Sequence, residues 1–321
     1  MQGAFLFGRG EYMTAAKVNS SPIRTLMTRN NYARTAVKVP RRKPMYPMSA
    51  ERELARDFLS VANVIKSVSK PYIKRLMAIY EVWANENVRT DARMTSQEAM
   101  GILLDEYGGA IDEGLDIEKI RDKVSGTAKY AKGISIRDWK ALVNDALGAD
   151  IDEPFYTEKM EDLVNKWAYE STQKITSYPQ EYISKIQEVI NWGFSTGQPM
   201  VNVYRKLEKI TGGTRVQVRA LARDQMGTLN YELTRYEHET MGVSQYKWVT
   251  KHDSRVRDCH RELDAHIFDW NNPPAQWYVT ASRGIVYTGY AHPGQAIGCR
   301  CRAAPVFDEK KVESMRGIAF H

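Results

Sequence analysis

The sequence predicts a mainly α-helical N-terminal region followed by a small α+β C-terminal domain, a long helix on a short irregular sheet. Three observations lead there. Apolar residues recur every three to four positions over most of residues 50–212, the period of an amphipathic helix. After Gly242 that period gives way to QYKWVT (245–250), which alternates as a half-buried strand does. All three cysteines, Cys259, Cys299 and Cys301, then fall in the stretch 246–307, with His260, His266 and His292 close by.

Residues 1–48 lack helical periodicity and end in Pro40, Pro44 and Pro47, which predicts an extended arm or linker. The first 50 residues hold nine basic side chains against one acid, Glu11, so the net charge of +7 is a property of this arm. Arg24, Arg29, Arg34, Lys38, Arg41, Arg42 and Lys43 are its candidate contacts to nucleic acid or to an acidic protein surface; a solvated tail is the alternative. Contacts of that kind to DNA would reach phosphates and carry no sequence information.

A helical domain is expected over 49–212. Ser49 is its first N-cap, and Leu54, Phe58, Val61, Ile65 and Val68 form the first apolar face, with Pro71 expected to break or kink the helix. Ile73, Leu76, Met77 and Tyr80 continue it. Thr95 and Glu98 form a capping box, and Gly108 and Gly109 close that helix. Further helical patterns run over about 116–131, 135–147 (capped by Ser135, with Asp138 three residues on) and 157–176. Pro179 fits the first turn of the next helix, which Gly193 and Gly197 end. Trp139, Trp167 and Trp192, at helical spacing, are expected in helix packing.

The C-terminal domain is expected over 213–321. Thr214 and Gln217 cap its long helix, Gly242 stops it, and short strands are predicted at 245–250, 285–287 and 302–306 around a loop at Asn271, Asn272, Pro273 and Pro274. No apolar run reaches the length of a transmembrane helix, and the opening MQGAFLFGRGEY lacks the features of a signal peptide, so a cytoplasmic chain is expected. In that compartment an odd number of cysteines points to thiols or metal ligands rather than to a disulfide framework.

Cys299 and Cys301 are one residue apart, so on an extended segment both point to one face. With His260 and His292 they would make a tetrahedral zinc set of two sulfurs and two nitrogens; Cys259, Asp253 and His266 stand in reserve. The spacing lacks the paired C-x-x-C of a zinc ribbon, and buried thiols beside hydrogen-bonded histidines are the alternative. Asp253, Arg255, Arg257 and Asp264 alternate in sign just after the strand and suit a hydrogen-bonded turn. The templates for phosphate-binding loops, dinucleotide loops, zinc-protease helices and nucleophile elbows are absent, so no catalytic residue is assigned.

The ordered series Ala222-Arg223-Asp224-Gln225, Trp248-x-Thr250, Asp253-x-Arg255-Val256-Arg257-x-x-His260, Leu263-Asp264, Pro273-Pro274, His292-Pro293-Gly294 and Cys299-Arg300-Cys301 resembles the head-morphogenesis domain of the Mu F-like minor head proteins of phages. The resemblance covers about residues 195–308. Ala265 stands where the family commonly has Gly, and Gly298 where Asn usually precedes Cys-Arg-Cys. The resemblance implies a low-copy virion protein near the portal, acting in head assembly and in some members in DNA handling or ejection. Its partners would be portal and capsid subunits and packaged double-stranded DNA, met through the arm. It would be made in the bacterial cytoplasm and would need no membrane. Trp248, Asp253, Arg255, Arg257 and Asp264 become its structural motif, and one structural zinc its only cofactor. A metal-dependent hydrolase carried in the virion is the alternative.

Overall fold

The computed structural model describes residues 37–85, 90–148, 157–280 and 284–308. In chain order these form β1 (Val37–Lys38), α1 (Met48–Asn85), α2 (Thr90–Glu113), α3 (Ile117–Leu147), α4 (Glu158–Thr176), α5 (Tyr178–Thr196), α6 (Met200–Thr240), β2 (Gln245–Val249), α7 (Asp258–Leu263), β3 (Ile267–Asp269), β4 (Ala275–Thr280), β5 (Gly284–Tyr290) and β6 (Arg302–Asp308). The expected class, long helices followed by a small antiparallel sheet, is what forms.

The helices are longer than their local signals suggest. Pro71 lies inside α1, which runs unbroken for 38 residues. An internal proline costs about 3 kcal/mol; the fully buried Leu54, Phe58, Val61, Ile65, Leu76 and Tyr80 on both sides of it outweigh that loss. Gly108 and Gly109 lie within α2, which starts at Thr90, ahead of the expected cap at Thr95. The two patterns at 116–131 and 135–147 are one helix, α3. Ser135 caps nothing: its hydroxyl donates to Glu237 Oε1 at 2.9 Å, while Asp138 accepts from the Met45 amide and the Arg42 guanidinium. Thr214 and Gln217 are likewise interior to α6, where Thr214 Oγ1 donates to Ile210 O and Gln217 Oε1 accepts from Tyr178 Oη. In each case a polar side chain read as a cap has a bond in the folded chain that the sequence could not show.

The chain divides into two compact units that interleave along the sequence rather than following one another. One comprises Pro47–Lys132 and Glu161–Met226 and is helical. Its core joins the α1 face to Tyr107, Val164, Trp167, Tyr182, Ile186 and Ile190. Tyr182 Oη sits 3.0 Å from each of Ser69 Oγ, Tyr107 Oη and Thr211 Oγ1, so the buried hydroxyls satisfy one another. Trp167 is buried and donates to Gln225 O at 2.9 Å; Trp192 is half-buried, with Lys206 Nζ 3.6 Å over its ring.

The other unit holds residues up to Tyr46, Gly133–Met160 and everything from Gly227 on. Its four-stranded antiparallel sheet has the order β1-β6-β2-β3, and β4 and β5 form a separate hairpin. The β6 strand is buried over five successive residues because it is interior to the sheet. Two apolar clusters fill the unit. Tyr231, Tyr246, Trp248, Leu263, Trp270, Cys299, Cys301 and Ala303 form one; Trp139, Leu142, Val143, Val243 and Phe307 form the other. Among the described residues no helix is long and apolar enough to cross a membrane.

The end of the basic arm is part of this second unit. Val37 and Lys38 pair with Asp308 and Phe307. Pro44 and Tyr46 are buried, and Pro44 O accepts from Arg302. Residues 37–46 are therefore a docked strap, not the open linker expected up to residue 48.

Candidate metal centre and its surroundings

His260, on the short helix α7, is the middle of the site. That helix places Cys259, His260 and Leu263 in the interior. The turn that delivers it is fixed by Asp253: Oδ1 accepts from the Arg255 amide at 3.1 Å, and Arg300 Nη2 bonds Oδ1 at 2.9 Å and Oδ2 at 2.7 Å. The slight burial of Asp253 works against ionisation, but Arg300 and the Arg255 amide hold its carboxyl below the usual range. The Arg255 side chain itself stays 3.8 Å from Asp253. Arg257 donates to Ile297 O, tying the start of α7 to the loop before Cys299. Asp264 closes the far end, accepting from the Thr250 amide at 2.8 Å.

The loop 291–301 brings the cysteines. Gly227 on α6 and Gly294 meet here: a Cβ on Gly227 would lie 3.0 Å from Cys299 O, and one on Gly294 would lie 3.1 Å from Gly227 O. Gly294 also has φ +94°, so glycine is required twice over. Gly298 has φ +66°, the left-handed conformation that Asn and Gly both tolerate, which accounts for the family's Asn at this place. Ala265, by contrast, is held at φ +65° without that tolerance; its amide donates to Trp248 O at 2.8 Å.

His260, Cys299 and Cys301 form the group that could hold a metal ion: their ligand atoms all lie within 4.8 Å of one another, and all three residues are buried. His260 Nδ1 is 3.4 Å from Cys301 Sγ and 3.7 Å from Cys299 Sγ. Burial alone would lower the His260 pKa, but its bonds to Cys259 and Cys299 outweigh that and push it up to about 9. The Cys299 thiol is held well below its ordinary value, mainly by its hydrogen bond with Cys301 and then by His260, against the effect of burial; Cys301 is driven up by the same bond. The group thus carries a thiolate beside an imidazolium, and a cation entering it would displace protons.

His292, expected as a ligand, is not in the group. Its Nδ1 lies 2.8 Å from Tyr246 Oη, and its ring packs among those of Tyr231, Tyr246 and Trp270. Burial, with the Arg235 charge, lowers its pKa to about 4, so it is neutral. Cys259 also stands apart, its Sγ 3.9 Å from Gln276 Oε1. Trp248 is fully buried at the group's edge.

Two features were not read from the sequence. Gln276 on β4 bonds His260 Nε2 through Oε1 at 2.8 Å. Separately, Pro44, Ser135, Asp138, Glu237, His238 and Arg302 line a small cavity of about 20 Å³, enough for a water. Glu237 is buried there, and desolvation raises its pKa to about 8 despite the bond from Ser135; burial lowers His238 to about 3. Of the arm's candidate contacts, Arg24, Arg29 and Arg34 lie outside the described residues. Lys38 is in β1, Arg41 is exposed, Arg42 is paired to Asp138 at 3.1 Å, and Lys43 Nζ is 3.4 Å from His252 Nε2.

Residues 184–304 match the family model described as Phage Mu protein F like protein. This segment is a Mu F-like domain. The Mu F-like family is one of phage head morphogenesis, and its members are generally structural rather than enzymatic. The chain is 31% identical over 160 residues to an uncharacterized protein of Haemophilus influenzae, a match covering 50% of this chain and 32% of that protein. It is 30% identical over 146 residues to an uncharacterized protein of Methanocaldococcus jannaschii, covering 46% of this chain and 20% of that one. The chain thus spans a third or less of these relatives' length. No solved structure matches it significantly. The match begins within α5, so the Mu F-like segment includes all of α6 and reaches from the helical unit into the sheet unit.

Proposed function

We propose that the protein is a minor head protein of a phage, placed at the portal vertex of the virion and acting in head assembly. The observation that carries this reading is the Mu F-like match over 184–304, with the motif residues of that segment spent on holding turns rather than left free for chemistry. Portal and capsid subunits are its partners. Packaged DNA is a further partner, met without sequence preference through Arg24, Arg29 and Arg34; Arg42 has a protein carboxylate as its partner. In this reading His260, Cys299 and Cys301 hold one structural zinc ion, the metal that two sulfurs and an imidazole nitrogen suit. The hydrolase reading is weaker: no carboxylate joins the group among the described residues, and the nearby Asp253 is paired with Arg300.

Deleting the gene from the phage that encodes it tests the proposal. Defective heads or poorly infectious particles are expected, together with co-purification of the protein with the portal. Normal, fully infectious particles would overturn it. For the DNA contact, removing residues 1–36 should abolish a salt-sensitive, sequence-independent affinity for duplex DNA; unchanged binding removes that partner.

A further inference from the structure

We infer that zinc is ligated through His260 Nδ1, together with the Cys299 and Cys301 sulfurs, and that Gln276 is the positioning residue that turns this nitrogen toward the metal. The inference rests on the reading that the group holds zinc.

The argument begins with the Gln276 amide. Its Nε2 lies 3.3 Å from both Pro274 O and Ala291 O, two groups that can only accept. The amide nitrogen must face them, and so Oε1 faces His260. An acceptor oxygen 2.8 Å from His260 Nε2 requires the proton to be on Nε2. A neutral imidazole protonated there has its lone pair on Nδ1. That is the nitrogen lying 3.4 and 3.7 Å from the two sulfurs. In a tetrahedral zinc site, ordinary Zn–S and Zn–N bond lengths put sulfur and nitrogen about 3.6 Å apart. The two observed separations straddle that value, so a zinc ion fits with little rearrangement.

Independent features favour charged sulfurs at this place. The Cys301 amide donates to Cys299 Sγ at 3.4 Å, and the indole nitrogen of Trp248 is buried beside Cys301 with no other partner. Both are donors that a metal-bound thiolate satisfies. Cys259, for its part, sits by Gln276 Oε1, away from the Nδ1 side of the ring. Metal-bound histidines are commonly oriented by an acceptor on the other ring nitrogen, and losing it typically costs 10–100-fold in metal affinity. Gln276 has that place here, and its neighbours Pro274 and Ala291 hold it there.

The test is zinc affinity of the purified full chain, measured by competition with a chromogenic chelator, with metal content per chain. One zinc ion per chain is expected. Cys299→Ser, Cys301→Ser and His260→Ala should each lose it, while Cys259→Ser should keep it. Gln276→Leu should weaken binding by about 10–100-fold with all three ligands present, and Gln276→Glu should restore most of it. Nitrogen NMR of the imidazole in the zinc-loaded wild type should show ligation at Nδ1, a readout that does not depend on any variant folding. A wild-type chain that takes up no zinc sinks the zinc reading itself. Tight zinc with ligation at Nε2, or with unchanged affinity in a folded Gln276→Leu chain, overturns the role of Gln276 and leaves zinc standing.

Discussion

In the helical unit the buried side chains are mostly interchangeable hydrocarbon: Leu54, Phe58, Val61, Ile65, Leu76 and Ile186 are fully buried and meet through shape alone. Its interior polar groups are hydroxyls, clustered on Tyr182. In the sheet unit the interior is built from Trp248, Trp270, His238, His260, His292, Gln276, Glu237 and two cysteines, each with a particular partner. A core of the first kind tolerates substitution while volume is kept. One of the second kind does not, because each lost partner leaves a desolvated polar group costing about 1–3 kcal/mol. The contrast explains why the recognisable motif lies almost wholly in the second kind of core.

The strongest way to break the comparison is to remove metal. Chelation, or Cys301→Ser, should cost the sheet unit more than about 4 kcal/mol, the linkage free energy at a thousandfold excess over the dissociation constant. Amide hydrogen exchange read peptide by peptide should show β2, α7 and β6 losing protection while α1 and α5 keep theirs. Equal loss in both units would show that the metal does not discriminate between them.

Next is Leu54→Ala, which should cost about 3–4 kcal/mol in the helical unit through transfer and cavity terms. Denaturant titration should show the loss, with zinc content unchanged.

Glu237 comes third. Its pKa rises from the carboxylate value of 4.5 when unfolded to about 8 when folded, so the folded state binds the extra proton between these limits. Stability of the sheet unit is therefore fully supported below about pH 4.5, falls as pH rises through the window to about 8, and is flat above it. A loss on the order of 3 kcal/mol is expected across that window. Glu237→Gln should remove the slope; a slope that survives in the variant assigns it to another group.

The smallest effect is a gain. Ala265→Gly should stabilise by about 0.5–1 kcal/mol, relief of the left-handed backbone less the extra freedom of unfolded glycine. Calorimetry would register it as a rise in Tm.

The helices were legible because burial of one face imprints a period that survives in the sequence. Their ends were not: Ser135, Asp138, Thr214 and Gln217 have the residue types of caps, and only the folded chain shows them bonded to Glu237, Arg42, Ile210 and Tyr178. Strands β2 and β6 showed through their alternation or apolar run, whereas β3 has three residues and no period to read. At the site, residue type disclosed His260, Cys299 and Cys301. It could not tell His260 from His292, since both are buried histidines beside aromatics and differ only in what faces Nδ1. Gln276 gave no signal, because a glutamine within a strand is ordinarily a surface residue. Nor did the strap: Val37, Pro44 and Tyr46 are too few apolar residues to mark docking in so basic a stretch.

The pairing of β1 with β6 also sets how this protein answers a mechanical load. Val37 is opposite Asp308 and Lys38 opposite Phe307, so the chain enters and leaves this ladder at the same end. Tension applied between the stretch before Val37 and the stretch after Asp308 would open the two pairs one after the other, as a zip opens, rather than shear them together. The force would then pass to the Arg42–Asp138 pair and the amide bonds that Asp145 and Asp138 accept from Arg42 and Met45. A weak first stage followed by a firmer anchor is a release mechanism graded by pull.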